Sequence, residues 1–455
     1  MHLSFHGSVN EVTGSCMKLD VADAVGKEHR LLIDCGMYQG ERLCGGKNFL
    51  PFGFDPKDIE AVFVTHAHAD HTGRLPKLFK EGYAGTVTMT APTVPLTRLV
   101  LEDAFHIMEE NARRCGDPVL YALEDLQALE ARCVGVGYHE AVEVAPGLTV
   151  MFHEAGHILG SAYVSVEAEG KRVVFSGDIG NDEVPILPAT EAISRADAVV
   201  CESTYGDRVH EGREERTRKL RAAVEAAMAR GGTLLIPSFS IERTQELLYE
   251  LNRLLTGELK TRAPIFLDSP MAIRATQVYR EFSDYLKFDA NVLTEEDRDF
   301  FSFPTLRETL TVDESKAIND VPPPKVIIAG SGMMSGGRVL HHLIRVLPDP
   351  KNMVLIIGYQ AAHTLGRQIY DGIKRVNVYG QDVDVRGEVR AIGAFSAHGD
   401  RDKLTRWVQP ADGRIPKKIF LTHGDPDVKA AFAAHLREAI GADAVIPELH
   451  AAYEL

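Results

Sequence analysis

The chain lacks the features of a membrane-spanning, secreted or disulfide-bonded protein. It has no run of 18 uninterrupted apolar residues, so no membrane span is expected. Its opening, Met1-His2-Leu3-Ser4-Phe5-His6, has no basic segment followed by an apolar core. No signal peptide is therefore expected, and the sequence reads as cytoplasmic. Cysteines are few and never spaced C-x-x-C. Cys16, Cys35, Cys44, Cys115, Cys133 and Cys201 read as reduced, mostly buried thiols, neither a disulfide framework nor a zinc knuckle. Positive charge is also short, with 50 Lys and Arg against 65 Asp and Glu. A net charge of −15 disfavours a protein that coats nucleic acid by bulk charge. Any polyanion site must be local, with metal ions supplying part of its positive charge.

At 455 residues the chain is long enough for two to three domains, and 45% hydrophobic with 25% charged residues is an ordinary globular balance. Its densest chemistry is Thr65-His66-Ala67-His68-Ala69-Asp70-His71-Thr72-Gly73, directly after an apolar, β-branched run at 59–64 that reads as a buried strand. Three imidazoles and a carboxylate packed that closely need hydrogen-bond partners or a metal. Imidazole nitrogen and carboxylate oxygen are donors that zinc accepts. His66 and His68 alternate on an extended segment and can point the same way. Asp70 and His71 follow on a turn, aimed at a neighbouring position, which suggests two metals.

Other strand ends carry similar groups. Asp34 follows the apolar run 31–33, placed to orient a ligand histidine from behind. In the stretch 149–161, His153 and His157 are equally eligible by residue type. His157 is favoured because it leaves the strand between glycines, whereas His153 sits inside it as a core or rim histidine. Asp178, in Ser176-Gly177-Asp178-Ile179-Gly180, suits a carboxylate bridging two cations. After the strand at 198–201 the chain alternates helix and strand, the signature of a parallel α/β unit. Residues 283–324 read as irregular and exposed.

The loop Gly330-Ser331-Gly332-Met333-Met334-Ser335-Gly336-Gly337-Arg338 runs from a strand into a helix, the physical recipe for an anion site, with a tight structural turn as the other reading. It matches neither G-x-G-x-x-G nor the Walker pattern, so no nucleotide cofactor is expected. A second polar segment, Gly358-Tyr359-Gln360-Ala361-Ala362-His363-Thr364-Leu365-Gly366-Arg367, follows the next strand. Near the C-terminus, His398 and His423 stand at strand ends among small residues, in Ala394-Phe395-Ser396-Ala397-His398 and Leu421-Thr422-His423-Gly424.

Taken together, the Asp34 turn, the His66/His68/Asp70/His71 cluster, His157 and Asp178 resemble, in order, the ligand motifs of the metallo-β-lactamase fold. Glu202-Ser203-Thr204-Tyr205-Gly206 and the two C-terminal histidine motifs resemble the additional motifs of its β-CASP branch. The resemblance covers nearly the whole chain and is nearest to prokaryotic relatives of the endonuclease subunit that cleaves eukaryotic pre-mRNA. It implies an αββα sandwich from residues 1–207 and 391–455, with an α/β β-CASP domain, residues 208–390, inserted as a lid. It also implies a zinc-dependent ribonuclease with two zinc ions per chain. His66, His68, His157 and Asp178 would hold one ion, and Asp70, His71, His423 and the shared Asp178 the other. His398 would protonate the leaving 3′ oxygen, Glu202 would hold that imidazole, and Asp70 and Asp178 would count with them in catalysis.

Single-stranded RNA is the expected partner, touched at phosphate by Ser331, Gly332, Ser335, Gly336, Gly337, Arg338, Arg243 and Arg367. A homodimer is left open. A small-molecule hydrolase of the same fold and a non-catalytic RNA-binding scaffold are the alternatives. The chain departs from the family pattern at Glu242 and His363, where relatives carry glycine. It shows neither the KH-type extension nor the long C-terminal domain of some relatives.

Overall fold

The computed structural model describes residues 1–39, 46–116, 118–182, 184–210, 212–256, 261–287, 299–358, 360, 363–393 and 397–455. Cys44, Tyr359, Ala361, Ala362, Ala394, Phe395 and Ser396 lie outside the described residues, as does the side chain of Cys115. The other four cysteines are free thiols, three of them buried. The chain divides into two compact units, Met1–Val209 with His398–Leu455, and His210–Ala397.

In the first unit a period-two pattern sorts side chains between two faces of each sheet. Leu31 and Ile33 enter the core between the sheets, while Leu32 packs on the outer side with helix residues Leu75, Leu78 and Leu101. In the other sheet Val173, Phe175, Val200 and Phe420 point inward. Val174, Val199, Ile419 and Leu421 point outward onto Leu404, Trp407, Phe432 and Leu436. Burial on both faces explains why these strands read as continuous apolar runs. The result is the expected αββα sandwich. One seven-stranded sheet runs in the order 452–454, 2–5, 17–22, 28–33, 61–63, 86–90, 133–136. The other runs 444–445, 418–422, 198–202, 171–175, 162–168, 148–154, 142–145.

The second unit is a six-stranded parallel sheet in the order 306–308, 265–268, 325–330, 233–238, 353–356, 388–391, with helices Arg213–Arg230, Arg243–Thr256, Pro270–Glu281 and Arg338–Val346 among its connections. Strand Glu388–Ala391 pairs with Met353–Ile356, and this unit runs on to Ala397. The reading of 283–324 as irregular and exposed is corrected by the described part of that stretch. Leu306–Glu308 is the edge strand, Val312–Ala317 is a helix, and Phe300, Phe301, Phe303 and Ile318 are buried. Both elements are too short to show a period, but the Thr311/Glu314 capping box was a legible start signal. Among the described residues no helix is long and apolar enough to cross a membrane.

A buried carboxylate organises one end of this sheet. Asp268 accepts hydrogen bonds from Thr309 Oγ1 at 2.8 Å, Ser315 Oγ at 2.6 Å, an Arg338 guanidinium nitrogen at 2.7 Å and His342 Nε2 at 2.7 Å. Burial opposes its charge, but His342, Ser315, Thr309 and Arg338 outweigh it and hold the pKa at about 2. A folded-state pKa below the unfolded value of about 3.9 stabilises the fold above that pH, and the gain is lost as pH falls toward 2. At about 1.4 kcal/mol per pKa unit the gain is about 2–3 kcal/mol. Asp268→Asn should therefore lower stability to urea by about that much at pH 7, a gap that narrows toward pH 2. An equal gap at both pH values would contradict this.

Candidate active site

The strands deliver their polar groups at their C-terminal ends, where ligands of parallel sheets gather. Glu28–Ile33 and Ala61–Phe63 are parallel neighbours and lead into Asp34 and His66. Lys171–Phe175, Ala198–Glu202 and Lys418–Thr422 are parallel neighbours and lead into Asp178, Glu202 and His423. The short helix Ala69–Thr72, begun at His68, places Asp70 and His71. Asp34 and His423 both take left-handed backbone, φ +61° and +52°, a cost that recurs at functional sites.

Two donor groups result. In one, His68 Nδ1 lies 3.1 Å from His66 Nε2 and 3.2 Å from His157 Nε2. Oδ2 of Asp178 lies 3.4 Å from both Nε2 atoms. In the other, His423 Nε2 lies 3.2 Å from His71 Nε2 and 3.3 Å from Asp70 Oδ2. Oδ1 of Asp178 is 3.3 Å from His71 Nε2, so the two oxygens of one carboxylate face the two groups.

This donor set fits zinc. Tetrahedral zinc with bonds near 2.0–2.1 Å holds its donors about 3.4 Å apart, close to these separations. Asp178 Oδ1 is buried and accepts no hydrogen bond, as expected of an oxygen aimed at a cation. Burial and the neighbouring histidines keep His66 well below its usual pKa, and burial keeps His68 at about 4, so both are neutral donors. Burial opposes the charge on Asp178, but His423, His71, His398 and His66 outweigh it and hold the carboxyl well below its usual range.

Hydrogen bonds fix the rings from behind. Asp34 Oδ2 holds His71 Nδ1 at 2.7 Å and also accepts from Thr65 Oγ1 and Ser15 Oγ. Thr65 Oγ1 lies 3.1 Å from His66 Nδ1, and Thr204 Oγ1 lies 3.1 Å from His423 Nδ1. Beside the donors, His398 Nδ1 sits 3.1 Å from both oxygens of Glu202 and 3.8 Å from Asp178 Oδ2. Burial alone would lower the His398 pKa; Glu202 and then Asp178 outweigh it and raise it to about 9. Glu202 is itself anchored, accepting from Ile179 N at 2.7 Å.

Sequence reasoning missed Thr65, Thr204, Gly36 and Gly180. A Cβ on Gly36 would sit 1.5 Å from the Asp70 carbonyl oxygen, and one on Gly180 would sit 1.8 Å from that of Gly156. Both glycines let the ligand loops pack backbone to backbone. The pattern Asp-x-Gly at 34–36 and Asp-x-Gly at 178–180 was the available signal.

The arginines expected at RNA phosphate are otherwise engaged. Arg243 is buried and paired with Glu246. Arg338 is taken up by Asp268 and the carbonyls of Thr309 and Leu310. Each guanidinium answers a charge or carbonyl of its own unit. Arg367 is half-exposed and paired with Asp371 at 2.9 Å. Glycine at 332 and 358 is explained by the Phe239 ring, which a Cβ would meet at 2.6 and 2.9 Å. Ser331 Oγ accepts from Ser335 N, and Gly337 starts the helix Arg338–Val346 with no side-chain cap.

Three family models match the chain in order: the Metallo-beta-lactamase superfamily at residues 21–238, the Beta-Casp domain at 244–369, and the Zn-dependent metallo-hydrolase RNA specificity domain at 382–447. A protein of Thermus thermophilus named a ribonuclease is 39% identical over 421 residues, 92% of this chain and 92% of its own. In Methanocaldococcus jannaschii, an RNase J-like protein is 32% identical across 98% of this chain and 97% of its own. A protein from the same organism named a transcription termination factor is 32% identical across 98% and 70%. The crystal structure of a protein of unknown function from Enterococcus faecalis V583 shares the fold, with a TM-score of 0.56 at 10% identity, covering 100% of this chain and 99% of that one. With its motifs in order and its donors in two groups, the chain belongs to the β-CASP branch of the metallo-β-lactamase fold, the zinc-dependent RNA-processing hydrolases.

Proposed function

We propose that this chain hydrolyses phosphodiester bonds of single-stranded RNA in the cytoplasm, internally and also from a 5′ end, with two zinc ions held by its own side chains. His66, His68, His157 and Oδ2 of Asp178 would hold one ion, and Asp70, His71, His423 and Oδ1 of Asp178 the other. When bound, such a pair supplies a nucleophilic water near neutral pH and positive charge around the scissile phosphate. The chain supplies the rest. Asp34, Thr65 and Thr204 keep the rings of His71, His66 and His423 from turning. Glu202 takes the Nδ1 side of His398 and favours the charged ring. His398 then gives a proton from Nε2 to the leaving 3′ oxygen, as a positioned general acid. The products carry a 5′-phosphate and a 3′-hydroxyl. Ser331, Gly332, Ser335, Gly336, Gly337, Arg338, Arg243 and Arg367 stay in this reading as the RNA-phosphate contacts of the inserted domain.

The observation that carries the proposal is Asp178. Its carboxylate is buried, ionised, and turned with one oxygen to each donor group. The purified chain, given end-labelled RNA in 5′-hydroxyl and 5′-monophosphate forms, should cut both internally and leave 5′-phosphate on the downstream fragment. Faster loss of the monophosphate form from its end would measure the exonucleolytic mode. Hydrolysis of a chromogenic phosphodiester with no cleavage of either RNA would replace this reading with a small-molecule hydrolase.

A further inference from the structure

Outside the two donor groups and the Asp178–Glu202–His398 set beside them, one other set of side chains able to hold a metal stands together among the described residues of the first unit. His139, His153 and Glu191 each offer a donor atom, all within 4.8 Å of one another. Glu191 spans the two rings: Oε1 is 3.0 Å from His139 Nε2, and Oε2 is 3.8 Å from His153 Nδ1. These values bracket the roughly 3.4 Å between donors on tetrahedral zinc. The rings also meet as the catalytic imidazoles do. His139 and His153 lie 5.4 Å apart at 74°, against 5.0 Å and 79° for His66 and His157 and 5.1 Å and 81° for His68 and His157.

The set is held in place by groups that a ligand needs behind it. His153 is stacked on Tyr163 at 4.5 Å, and its Nε2 lies 2.9 Å from Ser165 Oγ, which leaves Nδ1 turned to the cluster. Burial, with His139 adding to it, lowers the His153 pKa to about 4, so the ring is neutral and able to donate a lone pair. Arg172, which also bears on His153, is engaged by Glu167 and by Ser194. The Glu191 backbone is fixed by Trp407 Nε1 on its carbonyl and by its own N–H to the Glu154 carbonyl. His139 N donates to the Phe152 carbonyl at 2.9 Å. Two imidazoles and a carboxylate are a recognised zinc donor set, and the exposed edge of His139, 57% accessible, leaves room for solvent as the fourth donor.

We propose that His139, His153 and Glu191 form an additional site for a divalent first-row transition ion, with zinc the best match, separate from the catalytic centre. The ion ties the turn at 138–139, strand Leu148–Glu154 and the segment at 190–193 together, and takes no part in hydrolysis. Because binding is to the folded chain, it raises thermal stability, growing with the logarithm of free metal once the site fills.

The test uses the whole chain dialysed against micromolar zinc chloride, followed by elemental analysis, a melting curve and the RNA cleavage rate. Wild type should hold one more ion per chain than either His139→Ala or Glu191→Gln, and all three should cleave RNA at the same rate. Added zinc chloride should raise the wild-type melting temperature more than that of either variant. The same ion count in all three proteins overturns the site, as does binding seen only at millimolar zinc. Loss of more than one ion, or of activity, in the isosteric Glu191→Gln variant overturns its separateness from the catalytic centre.

Discussion

His398→Ala is expected to cut RNA about 10²- to 10⁴-fold more slowly than wild type while keeping its metal content and its affinity for RNA, the loss typical of a removed general acid. The expectation rests on placement. His398 Nδ1 is taken up by both oxygens of Glu202 at 3.1 Å, with Asp178 Oδ2 farther off at 3.8 Å, so Glu202 rather than an ion claims that nitrogen. Its ring therefore stands next to the metal ligands without joining them. A substrate with sulfur in place of the leaving 3′ oxygen needs little protonation, because a thiolate leaves unaided. It should recover much of the His398→Ala rate. Loss of metal from this variant, or failure of the sulfur substrate to rescue it, would mean that His398 is a ligand or a structural residue.

His423→Ala is expected to lose activity for a different reason, and by more. Its Nε2 closes the second donor group with Asp70 and His71, so its removal leaves two side chains and one shared oxygen. Outer partners of metal ligands typically cost about 10- to 100-fold when removed; removal of the ligand itself should exceed that. Thr204→Ala, which strips the 3.1 Å bonds from Thr204 Oγ1 to His423 Nδ1 and to the His423 carbonyl, supplies the smaller step for comparison. Excess zinc should partly restore His423→Ala, and the sulfur substrate should not. Rescue by sulfur rather than zinc would exchange the roles of the two histidines.

Much of this arrangement could be read from the chain because strands buried on both faces write themselves as apolar runs, and their ends mark the site. Asp34, His66, Asp178, Glu202 and His423 were all found at such ends. Other parts depend on contacts distant in sequence. Thr65 and Thr204 are ordinary threonines until folding sets one against Asp34 and the other against His423, 219 residues away. The place of Arg338 after a glycine loop was legible, but not its bond to the Asp268 carboxylate, 70 residues back.

The hairpin of Arg375–Val378 and Gln381–Asp384 was missed because Tyr379-Gly380 lacks the usual Asn or Asp, though Tyr379 takes φ +51°. Glu242 and His363, the two departures from the family pattern, take φ +67° and +68°. Glycine suits that backbone without strain, which explains the pattern that they break. Glu242 has a compensating contact, since Tyr279 donates its hydroxyl proton to Oε2 at 2.6 Å.

Zinc titration of the metal-free chain, with cleavage of an end-labelled RNA followed at each addition, tests the two-metal claim most directly. The account predicts no cleavage without zinc and little at one equivalent. The rate should then rise to a plateau as the second catalytic ion binds, and further zinc should add nothing. Cleavage by the metal-free chain, or a plateau already reached at one equivalent, would contradict it.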